Sequence, residues 1–258
     1  MKTKNIGNTL RLVAVAAVAT TLTITHATAQ IVSLNIVQNI GNNSQQIDGA
    51  ETFGIAGLGS VVGGWNNMNA GANNLLDSLG AATTVDFTLL QPNGQATFNN
   101  AYTNTPLFAG LDDYTTTLTP VSMTLNDLNA TFTSGYFAIV YLGGFNANTG
   151  ASITDGSSTY FYRPNPTPPA PYGSFVQTTQ ATDLGSANNP IAQYAVFGST
   201  SSPLTANSIT FTIDTLYGGG SALGGVQIVA VPEPASAALL LCGGMLLAAR
   251  RRKTSANS

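Results

Sequence analysis

Apolar and polar residues alternate with a period of two in several short segments of this chain. Residues 31–37, 83–90, 121–125 and 208–213 show this alternation, which predicts strands that bury one face. Residues 136–142 are almost wholly apolar and predict a central strand that is buried on both faces. Further strands are predicted at residues 95–99, 158–162, 191–197 and 225–230.

Turn-forming residues, rather than long helices, separate these predicted strands. The Gln, Pro, Asn and Gly at residues 91–94 predict a hairpin turn. The glycines at 218–220 and 224–225 predict a flexible turn before the last strand. Short helical turns are expected only near residues 72–79 and 126–132. Many strands without intervening helices favour an all-β fold, an antiparallel β-sandwich of the jelly-roll kind.

The N-terminus has the pattern of a secretory signal peptide with a signal helix. Three basic residues precede an apolar stretch at residues 12–24, and Ala27 and Ala29 supply the small residues that signal peptidase requires. The predicted signal is therefore residues 1–29, and the mature chain begins at Gln30. An uncleaved membrane anchor is the alternative, but the stretch is short and is diluted by threonines.

The C-terminus carries three consecutive parts within residues 232–253. Val231-Pro232-Glu233-Pro234 comes first, and its two prolines disfavour a continuous helix. An uncharged run at residues 235–249 follows; as a helix it is about 22 Å long, short of the about 30 Å hydrocarbon core. The residues assigned to this membrane anchor are Ala235, Leu239, Leu240, Leu241, Leu246, Leu247 and Ala249, and those assigned to the basic stop are Arg250, Arg251, Arg252 and Lys253.

A basic cluster after an apolar run holds such a tail in the membrane with its end in the cytoplasm and the body outside. A buried core helix is the alternative for residues 235–249, and the adjacent terminal arginines disfavour it. Residues 231–253 resemble the PEP-CTERM sorting signal, which an exosortase recognises. The resemblance implies that this membrane enzyme processes the tail near Pro232 to Pro234, and that the body reaches the cell surface or exopolysaccharide matrix.

The body between the two signals, residues 30–231, also resembles the jelly-roll modules that often precede this sorting tail. The similarity lies in the order of residues 125–128, 136–142 and 225–229. Such modules look like carbohydrate-binding domains, so the resemblance implies exopolysaccharide or another glycan as a partner. Signal peptidase and the exosortase are the partners expected during export.

The charge of the body narrows the range of partners. Residues 30–231 contain ten acidic residues and one basic residue, Arg163, which gives a formal net charge of −9. A body with one cation cannot neutralise several phosphates, so nucleic acid is excluded as a partner. Acidic lipid surfaces are disfavoured by the same repulsion.

The body also lacks two residue types on which many sites depend. The single histidine, His26, lies in the signal segment, and the single cysteine, Cys242, lies in the tail. Nucleophilic sites with an imidazole base and His- or Cys-based metal sites cannot be built from the body, so we predict no cofactor and no metal. Asp112-Asp113 and Asp155 offer oxygen ligands for Ca²⁺, but turn chemistry explains them well enough.

Two functional classes follow from these observations. The leading interpretation is an exported, non-catalytic, structural or glycan-associated module rather than an enzyme. The alternative is a secreted carbohydrate-active enzyme that uses a carboxylate pair. Glu51 is the only glutamate of the body, and the sequence marks no aspartate as its partner.

Two segments of the body are candidates for glycan contact. Trp65, the only tryptophan, precedes Asn66 and Asn67 in a glycine-rich stretch. It could stack on a sugar ring while the amides bind hydroxyls, but a Trp that plugs one end of the sandwich is the favoured alternative. Residues 163–172 contain five prolines and predict an extended, exposed loop, which is either a partner contact or, as we favour, a stiff connection.

Overall fold

The computed structural model describes residues 30–37, 46–49, 51–90, 106–107, 111–112, 120–144, 150–164, 175–185, 187–218 and 220–232. Twelve strands are found in these ranges: β1 (Ile31–Ile36), β2 (Asn66–Met68), β3 (Asp86–Leu90), β4 (Leu111–Asp112), β5 (Val121–Asn126), β6 (Tyr136–Gly144), β7 (Gly150–Thr154), β8 (Thr159–Pro164), β9 (Ile191–Ala192), β10 (Tyr194–Phe197), β11 (Ile209–Tyr217) and β12 (Ser221–Ala230). The helical residues are α1 (Leu128–Thr131) and a 3₁₀ turn (Ala56–Leu58). The predicted all-β class is confirmed.

The strands form two six-stranded sheets. Sheet I has the order β10-β6-β12-β1-β2, with β4 paired to β12, and sheet II has the order β3-β5-β11-β7-β8-β9. Most neighbours are antiparallel, as predicted, but β1 pairs with β2 and β8 pairs with β9 in parallel. Both sheets are therefore mixed, and the prediction of purely antiparallel pairing is wrong at these two places, where β2 has three residues and β9 has two.

Several sequence predictions can be compared with individual elements. The short helix predicted within residues 126–132 is found as α1. The one expected near residues 72–79 is absent from that described stretch, where isolated bridges join Ala72 to Phe87 and Leu76 to Ala82 instead. The tertiary pairing to β3 thus prevails over a weak local preference for helix. The hairpin return at 95–99 and the predicted signal and tail helices lie outside the described residues.

One hydrophobic cluster draws side chains from both sheets. Phe87 and Phe211 of sheet II and Val226 of sheet I belong to it. The strands β5 and β11 alternate between buried and more exposed residues, as their sequences predict. Many of their outer positions are threonines and serines, some of which bond across the sheet, such as Ser122 to Thr212 at 2.7 Å. Sheet II therefore buries one face and presents a hydroxyl-rich face on the other side.

Sheet I is buried on both faces. A second cluster covers its outer face and includes Phe53 and Trp65 from the segment that follows β1, together with Phe137 and Tyr141 of β6. The first eight residues of β6 are all buried, so the prediction of a strand buried on both faces is confirmed.

The glycines at 224–225 lie inside β12, not in a turn before it. A side chain at Gly224 would overlap the backbone carbonyl of Leu107, and one at Gly225 would overlap the carbonyl of Leu34. These glycines are needed because neighbouring backbone approaches closely, and the prediction of a flexible turn at this position is wrong. The ladder with β6 shifts register between Leu223 and Gly225.

The two sheet strands nearest the chain ends lie side by side. The carbonyl of Gln30 accepts a hydrogen bond from the N–H of Ala230 at 2.9 Å, and Ile31 pairs with Val229. We call this end of the sandwich the terminal end. The opposite end, where Gly144 packs against Pro164 and Gly220, is the loop end. The ten residues of β12 connect the two ends and span about 30 Å.

No helix among the described residues is long and apolar enough to cross a membrane. The segment assigned to the membrane anchor lies beyond Pro232, where the description ends.

Candidate functional site

Trp65 lies in the second hydrophobic cluster rather than on an open surface. Only 7% of its surface is exposed. Its indole N–H donates to the carbonyl of Val62 at 3.1 Å, and its ring meets Phe53 and Tyr141 edge-on at centroid distances of 6.5 and 5.8 Å. A buried ring whose single donor is already bonded is not an open stacking platform. Trp65 packs against the outer face of sheet I, not at an end of the sandwich as the alternative interpretation had it.

Asn66 and Asn67 use their amides to hold the chain together. The amide N of Asn66 donates to the carbonyls of Ser33 at 2.9 Å and Leu76 at 2.8 Å, and its oxygen accepts from the N–H of Leu76 at 3.0 Å. Asn67 pairs in the same manner with both backbone groups of Ile47, at 2.9 and 3.0 Å. Each side chain thus replaces a missing strand partner, which leaves little capacity for sugar hydroxyls.

A buried polar network links the segment between β1 and β2 to sheet I. The hydroxyl of Tyr141 donates to the amide oxygen of Gln227 at 2.6 Å, and the amide N of Gln227 donates to the Ser33 hydroxyl at 3.0 Å and the Ser60 carbonyl at 2.8 Å. Burial raises the pKa of Tyr141, so this phenol stays a donor at neutral pH. The network is a structural feature and not an open site.

The residues of the two processing signals are only partly within the described chain. Gln30 is half-buried, and its side chain lies 3.5 Å from a carboxylate oxygen of Asp77. Val231 is half-buried and its N–H donates to the carbonyl of Gly135 at 3.0 Å, whereas Pro232 is exposed. The other assigned residues, Ala27, Ala29, Glu233, Pro234, the anchor and the basic stop, lie outside the described residues.

Most carboxylates of the described chain act as acceptors in turns. Asp77 accepts from the N–H groups of Leu79 and Ala81, both at 2.9 Å. Asp155 accepts from the backbone of residues 157 and 158 at 2.9 and 2.7 Å, and the carboxylate of Glu51 accepts from the N–H of residue 48 at 3.1 Å. Across the described ranges, no group of three or more His, Cys, Asp or Glu residues is placed to hold a metal ion.

Asp214 differs from these carboxylates because burial raises its pKa. It lies on the outer face of β11, and its cross-strand neighbour on β7 is Ser152. A carboxyl with a raised pKa is one half of what a glycosidase requires; the other half is a second carboxylate across a cleft. The cross-strand neighbour of Asp214 on β7 is a hydroxyl and not a carboxylate.

Asp214 and Asp183 should give opposite pH dependences. Burial raises the pKa of Asp214, so the folded protein binds this proton more tightly. The resulting stability is fully present below the unfolded pKa of about 4 and is lost as pH rises through the folded pKa. Hydrogen bonds from Tyr217, Asn189 and Gly185 lower the pKa of Asp183. Its contribution is present above the unfolded pKa and is lost as pH falls through the folded pKa.

We therefore expect Asp214→Asn to raise the free energy of unfolding at about pH 7 but not at about pH 2. Asp183→Asn should lower it at neutral pH, and by less in acid. Urea denaturation of both variants at the two pH values checks this prediction. Effects of the same sign in the two variants at neutral pH would contradict it.

An exposed tyrosine stands at the loop end of the sandwich. Tyr217 is the last residue of β11, and it is 39% exposed. Its hydroxyl donates to a carboxylate oxygen of Asp183 at 2.7 Å. The other oxygen of Asp183 accepts from the N–H of Gly185 and the amide of Asn189, both at 2.9 Å. The carboxylate therefore fixes the tyrosine ring and the neighbouring loop together.

Arg163, the only basic residue of the body, lies beside the same loop. Its Nε donates to the carbonyl of Asn189 at 2.6 Å, and its backbone pairs with Ile191 of β9. Asp183 and Asn189 thus contact two strands, β11 through Tyr217 and β8 through Arg163. We call Arg163, Asp183, Leu184, Asn188, Ile191 and Tyr217 the loop-end surface. The proline-rich segment predicted from residue 163 onward is described only at its first two residues.

A pocket of about 230 Å³ opens on the outer face of sheet I. Leu58, Phe137 and Val196 give it an apolar wall, and Ser199 and Thr200 supply hydroxyl groups. Its lining, as far as the chain is described, contains no titratable side chain. The pocket therefore lacks groups that could move a proton.

The loop-end surface was not predicted from the sequence. Asp183 and Tyr217 are separated by 34 positions, and no local pattern links them. The weak signals present were turn residues around Asp183 and the glycines after Tyr217, which mark loops but not their partners.

Comparison with known proteins adds no relative. A scan of protein-family models found no match to the chain, and searches of curated proteins and of solved structures found none either.

Proposed function

We propose that this chain is an exported protein of the cell surface or extracellular matrix, processed by an exosortase. Its body would be a non-catalytic, jelly-roll-like module with a structural or glycan-associated role. The order of Pro-Glu-Pro, apolar run and basic cluster at residues 232–253 supports this proposal. An N-terminal signal at residues 1–29 supports it independently.

One structural observation carries the proposal. The residues next to both proposed junctions lie at the terminal end, where Gln30 and Ala230 are bonded to each other at 2.9 Å. A cut before Gln30 would leave β1 complete, and a cut after Pro232 would leave β12 complete. Cleavage at the two proposed junctions is therefore compatible with the described strands.

Three carboxylates of the described residues support a non-catalytic role. Asp77, Asp155 and Glu51 accept backbone hydrogen bonds that close turns. A hydrolytic acid or nucleophile must instead face its substrate. Membrane contact would be confined to the C-terminal tail, because the acidic body is repelled by anionic lipid.

Cell fractionation with a tail variant tests this function. We would insert an epitope in the exposed turn at Gly156 and compare the full chain with a chain that ends after Pro232. The full chain should be found at the surface, accessible to added protease. The shortened chain should be released into the medium, because it keeps its export signal and loses its anchor.

A conservative variant, Arg251→Lys, keeps the positive charge and serves as the control, since it should behave as the full chain does. Recovery of the body in the cytoplasm, or an unchanged location after removal of the tail, would contradict the proposed function.

A further inference from the structure

We infer that the loop-end surface binds a neutral polysaccharide, with the ring of Tyr217 as its stacking platform. Tyr217 is 39% exposed, and its hydroxyl is bonded to Asp183 at 2.7 Å. An exposed aromatic ring that is already fixed loses little conformational entropy when a ligand covers it. This inference rests on the proposed function and names the ligand class for it.

The surroundings of the ring match the two kinds of surface that a sugar presents. Leu184 and Ile191 are 48% and 40% exposed, and they offer apolar area for the C–H faces of pyranose rings. Asp183, Asn188 and Arg163 place carboxylate, amide and guanidinium groups near the ring. Each already makes hydrogen bonds in this region, and their remaining donors and acceptors suit hydroxyls at the ring edges. A few polar groups around an apolar platform are typical of small-ligand recognition.

The charge of the body selects among polysaccharides. Residues 30–231 have a formal net charge of −9, and Arg163 is their only cation. An acidic polymer would meet repulsion from the body as a whole, whereas an uncharged polymer would not. The charge therefore favours a neutral polysaccharide over an acidic one.

The loop-end surface is placed where a ligand outside the cell could reach it. The processing signals leave the body at the terminal end, and the loop-end surface lies at the opposite end of β11 and β12. The two are separated by about 30 Å, the length of a ten-residue strand. A body held by its tail would therefore carry Tyr217 on the side that faces away from the membrane.

A pull-down by bead-linked polymers tests the inference. The full chain, purified in detergent, would be offered cellulose, dextran and mannan as neutral probes and alginate as an acidic probe. We expect retention on at least one neutral polymer and none on alginate. Tyr217→Ala should weaken that retention about tenfold, because a stacked ring is lost.

Two further variants keep the result interpretable. Tyr217→Phe keeps the ring but loses the bond to Asp183, so its retention should lie between the wild type and Tyr217→Ala. Leu79→Ala removes an apolar side chain that is 82% exposed and lies outside the loop-end surface, and it should change nothing. Circular dichroism of each variant would verify the fold.

Failure on every neutral polymer, equal retention of Tyr217→Ala and wild type, or preference for alginate would each overturn the inference. Surface location in the fractionation assay does not depend on Tyr217. A binding failure with correct surface location would therefore refute only the glycan surface, and a location failure would refute the proposed function itself.

Discussion

Gly225→Ala is expected to lower the free energy of unfolding by about 3 kcal/mol or more. A methyl group at this position would overlap the backbone carbonyl of Leu34 and crowd a methyl of Leu107. The strand β12 is held between β6 and β1, so it cannot move away without breaking one of its two ladders. Chemical denaturation followed by tyrosine and tryptophan fluorescence measures the change.

Gly49→Ala is the matched control for this glycine. No atom lies within 4 Å of the position that its added methyl would occupy, so we expect a change within about 0.5 kcal/mol. Equal stability of the two alanine variants would show that β12 does not pack against Leu34 as described.

Gln227→Ala is expected to destabilise the body by about 4 kcal/mol. The substitution leaves the Tyr141 hydroxyl, the Ser33 hydroxyl and the Ser60 carbonyl without the partner they now share. Each buried polar group that loses its partner costs about 1 to 3 kcal/mol, and a cavity adds to that cost. Urea denaturation gives the free energy directly.

A double variant separates lost hydrogen bonds from lost packing. Gln227→Met with Tyr141→Phe removes the donor and acceptor of their shared bond together and keeps much of the buried volume. It should be more stable than Gln227→Ala, because fewer polar groups remain without partners. If Gln227→Ala and wild type unfolded at the same denaturant concentration, the buried network would have no role in stability.

The strands could be predicted because a strand that buries one face has apolar residues at every second position. Residues 121–125 and 208–213 show that period and form most of β5 and β11. The placement of Gly225 inside β12 could not be predicted. The local sequence shows that a glycine is present, but not that the backbone of Leu34 lies too close for a side chain. The parallel pairing of β2 with β1 depends on Asn66, whose amide replaces a strand partner.

At the candidate site, too, the sequence identified some residues but not the contacts they make. Trp65 stood out in the sequence as the only tryptophan, but its burial depends on Phe53 and Tyr141, which are remote along the chain. The bond between Asp183 and Tyr217 joins a loop residue to the last residue of β11. Contacts of this kind arise from topology, and no spacing in the sequence records them.

The two terminal signals that the sequence predicts differ from the body, because the features that define each of them lie within one short segment. Charge, apolar length and small residues can be found without knowledge of the fold. The side-by-side position of Gln30 and Ala230 could not be found in this way. It follows from the pairing of the first strand with the last one, which is separated from it by almost the whole body.

Mass spectrometry of the C-terminal peptide from surface-located or released protein tests the central claim most directly. The claim predicts a terminus at or shortly after Pro232, with β12 complete and the arginines at 250–252 absent. Mature protein outside the cell that still carries Arg250 to Lys253 would contradict the account.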